Sequence, residues 1–298
     1  METLVAIFID GFVYASWMFL IASGLTLVVG VMKILNIAHG SIYAFGAYTS
    51  AMFIGLWFNS DLPPAASFII FPVAAVLVGI VVGFVLERGF LKFFYGRDEV
   101  VLLLVTFALL LVLEDVIRWI WGAQPLAAYQ PYGIPGLLQV GDMLFSVYDL
   151  MLILLAAVIG ICMWIVLDYT KWGRLLRAVM NDREMATAMG INVKRFYTVT
   201  FIIGSTLGAF GGAVTAPMIS VQLGIGVEII IMAFVVVVIG GMGSIGGALL
   251  GSLMVGLARA ASVYFFPEIE IFIIYLLMTL VLIFRPEGLF AQQAVRKI

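Results

Sequence analysis

The chain has 298 residues, 64% of them hydrophobic and 11% charged, with a formal net charge of -2. Soluble domains carry about 25% charged and about 45–50% apolar residues, and disorder needs low hydrophobicity with high charge, so both classes are excluded. A soluble exterior could not cover this much apolar surface; a polytopic membrane protein remains.

A bilayer-crossing helix needs roughly 20 apolar residues. Apolar runs near 4–31, 38–58, 67–87, 100–121, 147–167, 197–217, 227–242, 245–265 and 270–284 supply the candidates. The opening run lacks a basic head and is too long for the apolar core of a signal peptide, so it reads as the first span. Helices are expected, because barrel strands would be short and alternating. The predicted fold is an all-α polytopic membrane protein, a single transmembrane domain over 1–298 with eight or nine helices. The 227–242 run is short and runs into a glycine-rich segment, which predicts a broken or re-entrant helix. That ambiguity leaves the helix count and the side of the N-terminus open.

Charge asymmetry sets the orientation. Lys33, the segment with Arg88, Lys92 and Arg97, the segment 168–195, and Arg285, Arg296 and Lys297 place thirteen of the fifteen basic residues on one side. The opposite loops hold Asp61, Asp142, Asp149, Glu268 and Glu270 and no Lys or Arg. The positive-inside rule puts the basic loops in the cytoplasm. Arg118 and Arg259 break the pattern; both sit near the outer ends of spans, where long side chains can reach the headgroups. Glu114 lies one turn before Arg118, so an i,i+4 pair is expected.

Within the spans the ionisable candidates are Asp10, Glu114, Asp115 and Glu228, each towards an end. A proton-coupled carrier would be expected to keep such a group near mid-span. One His and one Cys cannot build a metal cluster; Cys162 reads as a small apolar packing residue. No Ser/His/Asp set, phosphate-binding loop or nucleic-acid motif is present. No catalytic residue, metal or cofactor is therefore expected on this chain. Uphill transport would draw its energy from another subunit.

The largest polar segment is the loop 168–196, with Arg174 and Arg177 near its start. Asp182 can cap a short helix that Gly190 ends. Met185 and Met189 are four apart and share a face, and Ala188 lies three from Met185. Two readings stay open: a helix that inserts an adaptable apolar knob into a partner's groove, or a basic loop held near anionic headgroups.

Three stretches are rich in small residues: 37–47, 204–213 and 240–248. Glycines four apart let helices approach closely, and the same density lets a helix break where it lines a cavity. On the second reading Asn36, His39, Ser41, Tyr43, Gly241, Gly243 and Ser244 are the candidate pathway residues. On the first, Asn36 and His39 are structural hydrogen-bonders at a membrane edge. Gly40-Ser41-Ile42 recurs as Gly243-Ser244-Ile245, a hint of an internal repeat.

Taken together and in order, several motifs run along nearly the whole chain. They are Asn36-Ile37-Ala38-His39-Gly40 with Tyr43, Gly46, Ala47 and Tyr48; Gly173-Arg174 through Gly190-Ile191-Asn192; Phe201 through Gly212; Gly240 through Ala248; and Arg285-Pro286-Glu287-Gly288-Leu289. With them the sequence resembles the LivH-type permease subunits of branched-chain amino acid ABC importers. The resemblance implies that Glu184-Met185-Ala186-Thr187-Ala188-Met189-Gly190 is the cytoplasmic coupling segment of form Glu-Ala-Ala-x-x-x-Gly, with Met185 in place of the first Ala. Arg174, Arg177 and Asp182 join that ATPase-coupling set. It further implies a five-part machine in a bacterial inner membrane. A second, LivM-like permease shares the pathway, two ABC ATPases bind ATP and Mg, and a periplasmic substrate-binding protein delivers leucine, isoleucine, valine or another small polar solute such as urea, an amide or an aromatic acid. The alternative is a passive channel for a small neutral solute, which would have no use for the coupling segment.

Overall fold

The computed structural model describes residues 2–141 and 143–290. Asp142, Arg296 and Lys297, used above for orientation, lie outside the described residues.

The chain begins with α1 (Glu2–Met32), breaks over 33–38, and resumes as α2 (His39–Phe58). A 3-10 stretch, Pro64–Ile69, leads into α3 (Ile70–Phe84). Proline suits that first turn because its missing N–H has no helical partner there. α3 then loosens through a π-helical turn, Val85–Phe90, and a 3-10 turn, Leu91–Phe94. Next comes α4 (Glu99–Trp121), where Asp98 accepts from the Val100 N–H at 2.8 Å and so caps the helix. The following loop holds a one-turn helix, α5 (Gln130–Gly133), and a hairpin of antiparallel β1 (Leu137–Val140) and β2 (Met143–Ser146). Then follow α6 (Val147–Tyr169), α7 (Lys171–Asn181), α8 (Arg183–Ala188), α9 (Val193–Thr215), α10 (Ile225–Gly240), α11 (Ile245–Phe265) and α12 (Glu270–Phe284).

Among the described residues, eight helical stretches are long and apolar enough to span a bilayer, and α10 is the shorter apolar helix left over. Its neighbours decide whether it crosses. The turn before α10 pairs through Val221 with Leu126 in the loop after α4, with backbone N–O distances of 2.8 and 2.9 Å. The turn after it packs Gly243 against Gly30 and the tip of Met180, at the far ends of α1 and α7. α10 therefore joins the acidic face to the basic face, as a ninth crossing. Sixteen residues rise about 24 Å, less than the roughly 30 Å hydrocarbon core. The deficit is met at its C-terminal end. Leu289 and Phe290 donate their backbone N–H groups to Ile239 and Gly240 at 2.9 and 3.0 Å, satisfying carbonyls that the helix end leaves without partners.

α1, α2 and α9 form the centre, and α2 is buried on nearly every side. The glycines where α2 meets α9 do the packing expected of them. A methyl group at Gly46 would overlap the Ala209 carbonyl, and one at Gly212 the Tyr43 carbonyl. α6 and α12 are mostly exposed, and Cys162 is exposed on α6 beside an apolar groove against α7 and α9.

Three expectations need correction. First, Asn36 and His39 do not lie at a membrane edge. The His39 Nε2 sits 3.2 Å from the Ile21 carbonyl, and Ile21 is about 17 Å up α1 from Met32 at 1.5 Å per residue. Residues 33–38 climb non-helically into the core, where Leu35 accepts from Thr106 Oγ1 at 3.2 Å. Second, Glu114 accepts from the Gly224 N–H rather than pairing with Arg118. Third, Arg259 does not reach for headgroups; it pairs with Glu270 at 2.5 Å and lies over the Tyr14 ring at 4.3 Å. The repeated tripeptides also differ in backbone: Gly40 opens helix α2, whereas Gly243 has φ +85° in a turn.

Candidate functional site

The basic face carries the coupling candidates on two short helices. α7 buries Gly173, Leu176 and Val179 and leaves Lys171 and Arg174 outward. Arg177 closes back on Asp168 at 2.6 Å. α8 is fixed at both ends. Asp182 accepts from the Met185 N–H at 2.9 Å. At the other end Gly190 takes φ +83°, its N–H bonds Thr187 O and the Ile191 N–H bonds Ala186 O, both at 3.0 Å. That is the paired closure of a Schellman ending, which needs a residue without Cβ strain at Gly190.

The two caps hold a six-residue helix that could not stand alone in water. Between them Ala186 faces inward and is buried, while Met185 and Met189 stand outward at 59% and 74% exposure. Glu184 is exposed in the first turn, where a carboxylate suits the positive helix end. The knob read from the spacing is thus built and unburied. Asp182→Ala should loosen α8 by about 1 kcal/mol, the usual worth of such a cap. Faster amide exchange at Met185 and Ala186, with the transmembrane amides unchanged, checks this.

Gly243 and Ser244 lie next to this region. They border a cleft of about 330 Å3 with Arg177 and Met180. Ser244 caps α11 by accepting from the Gly247 N–H at 3.0 Å. Gly241 is buried beneath Gly288, within the contact that closes α10.

The other pathway candidates are in the core. Asn36, His39 and Ser41 are fully buried, and Ser41 donates to the Leu110 carbonyl at 3.2 Å. Tyr43 bonds Thr215 Oγ1 at 2.6 Å and borders a cleft of about 570 Å3 that opens on the acidic face. Asp10, Asp149, Glu228, Arg259 and Glu270 line the same cleft, together with Tyr14 and Trp17. Tyr264 donates to Asp10 and Tyr132 to Asp149, both at 2.8 Å. Sequence reasoning noticed these charges singly, at the ends of different runs. Nothing in their spacing signals convergence, because five helices bring them together.

The comparisons with known proteins agree with this architecture. The family model described as branched-chain amino acid transport system, permease component, matches residues 7–282. The high-affinity branched-chain amino acid transport system permease protein LivH of Salmonella typhimurium is 28% identical across 97% of this chain and 96% of its own length. LivH of Escherichia coli K12 and BraD of Pseudomonas aeruginosa are each 27% identical over the same shares.

Proposed function

The chain belongs to the branched-chain amino acid transport permease family, and from that premise we propose how it works. It is a multi-pass permease subunit of an ATP-driven importer. It sits in a bacterial inner membrane and forms the translocation pathway with a second, LivM-like permease. Two ATPases sit below the permease pair, docking on its basic face, and a periplasmic binding protein delivers leucine, isoleucine, valine or a related small polar solute to the acidic face. ATP and Mg are held by the ATPases.

The observation that carries this reading is α8, a helix capped at both ends that holds Met185 and Met189 out of the protein. Exposed methionine pairs cost hydrophobic free energy unless a partner covers them. Arg174, Arg177, Asp182, Glu184, Ala186 and Gly190 build, flank or charge that knob. On the other face, Arg259 and several carboxylates around one cleft offer both signs of charge, which suits a zwitterion better than a neutral solute. Tyr43 is the pathway candidate at that cleft, and Gly243 and Ser244 are those at the opposite end. Asn36, His39, Ser41 and Gly241 would act from behind, by holding the break at 33–38 and the end of α10.

Two global states suffice if ATP and the loaded binding protein each prefer one of them. The test is a mild-detergent pull-down of the tagged chain from its native membrane, with mass spectrometry of what accompanies it. Two ATPases and a second permease are expected. Recovery of the chain alone or as a homo-oligomer would favour a passive channel.

A further inference from the structure

An open cleft of about 390 Å3 lies beside α8, bordered by Tyr95, Arg183, Thr187, Gly190, Lys194 and Tyr197. One line of contacts runs across this cleft. The Arg183 guanidinium, at the start of α8, lies 5.7 Å from the centre of the Tyr197 ring. Tyr197, in the first turns of α9, meets Tyr95 edge-on at 5.2 Å with the rings inclined by 82°. The Tyr95 hydroxyl donates to Glu87 Oε1 at 2.6 Å. Glu87 belongs to the π-helical turn that ends α3 and is only 1% exposed, with Arg88 Nε 3.4 Å from its other oxygen.

Each link has a physical reason to hold. A buried carboxylate needs partners, and a hydroxyl donating to it makes a strong, charge-assisted bond. An edge-on tyrosine pair and a cation over a ring add direction to the contact. π-Turns occur frequently at functional sites, and here the turn places the buried Glu87 at the end of α3.

We propose that Glu87, Tyr95 and Tyr197 are positioning residues that transmit movement between α8 and the end of α3, with Arg183 as the contact on α8. The cleft leaves α8 room to move on that side, and the line of contacts carries the movement to α3. This rests on the docking of α8 described above, and adds the route by which docking is felt in the membrane.

The test uses the complete importer in liposomes, with solute accumulated and ATP hydrolysed measured on the same vesicles. Tyr95→Phe removes the hydrogen bond and keeps the ring pair. Solute moved per ATP should fall about tenfold, the shift expected for losing one bond to a charged group, with hydrolysis and complex yield retained. Glu87→Gln, in a chain that keeps Tyr95, leaves an acceptor for the hydroxyl and should retain most of the ratio. Tyr197→Leu, which removes both ring contacts, should lower the ratio at least as far. An unchanged ratio in Tyr95→Phe and Tyr197→Leu, or losses in hydrolysis and transport that only follow complex yield, would overturn the proposal. The docking reading is checked separately in Met189→Asp: if ATPases remain bound there, that reading fails whatever the tyrosine variants do.

Discussion

With Met189→Asp, ATP-driven uptake is expected to disappear while the chain stays in the membrane at its normal level. Met189 is 74% exposed, so its replacement removes almost no packing from the isolated subunit. In the assembled importer the same side chain would sit in an apolar groove. Burying a methionine there stabilises the complex by about 1.5–3 kcal/mol, and a carboxylate in its place would be desolvated without a partner. The affinity for the ATPases should fall at least about 100-fold, since each 1.4 kcal/mol is tenfold. Co-purification and uptake report this directly. Glu184→Arg should act in the same direction. It costs α8 only about 0.3–1 kcal/mol through the reversed charge at the helix N-terminus, so a large loss of transport would come from the docked state. Normal uptake with bound ATPases in both variants would show that α8 is a solvated loop.

Gly243→Leu should also abolish uptake, through the fold of the α10–α11 turn. Gly243 has φ +85°, a conformation that costs a residue with a Cβ roughly 1–2 kcal/mol. Its Cβ would also come 3.0 Å from the Gly30 Cα, with Met180 alongside. Backbone cannot move aside as a flexible side chain can, so α1, α11 and the end of α7 would have to separate. Gly243→Ala keeps the φ cost and adds the least volume, and should retain part of the activity. A fully active Gly243→Leu protein would show that the turn neither packs tightly nor takes part in transport.

The two ends of α8 were readable from residues alone, because capping is local: Asp182 and Gly190 carry their own stereochemistry and need no distant neighbour. The apolar runs were readable for a similar reason, since a span is an average over about twenty residues. That same averaging hid the depth of residues 33–38. Asn36 and His39 are flanked by Ile34, Leu35, Ile37 and Ala38, so hydropathy sees an uninterrupted approach to the next span. Only contacts to Ile21 and Thr106 reveal a break inside the core.

The crossing by α10 stayed open for another reason. Its length is short for a span, and what compensates is a segment some fifty residues later, whose Leu289 and Phe290 bond the helix end. The Glu114 carboxylate chose Gly224 over Arg118 for lack of any local rule against it. The hairpin β1–β2 contradicts no local signal either. Its leucines, Leu137, Leu138 and Leu144, are exposed, so burial did not impose a pattern that could be read. The cleft on the acidic face and the Glu87–Tyr95–Tyr197 line are products of tertiary convergence, and neither leaves a spacing in the chain.

The most direct measurement of the central claim is uptake of labelled leucine into liposomes that contain the purified complex, with the binding protein outside and ATP inside or absent. Accumulation above the external concentration, dependent on ATP and on the binding protein, is the result expected here. Solute that equilibrates without ATP and stops at the external concentration would contradict the account and identify a passive channel.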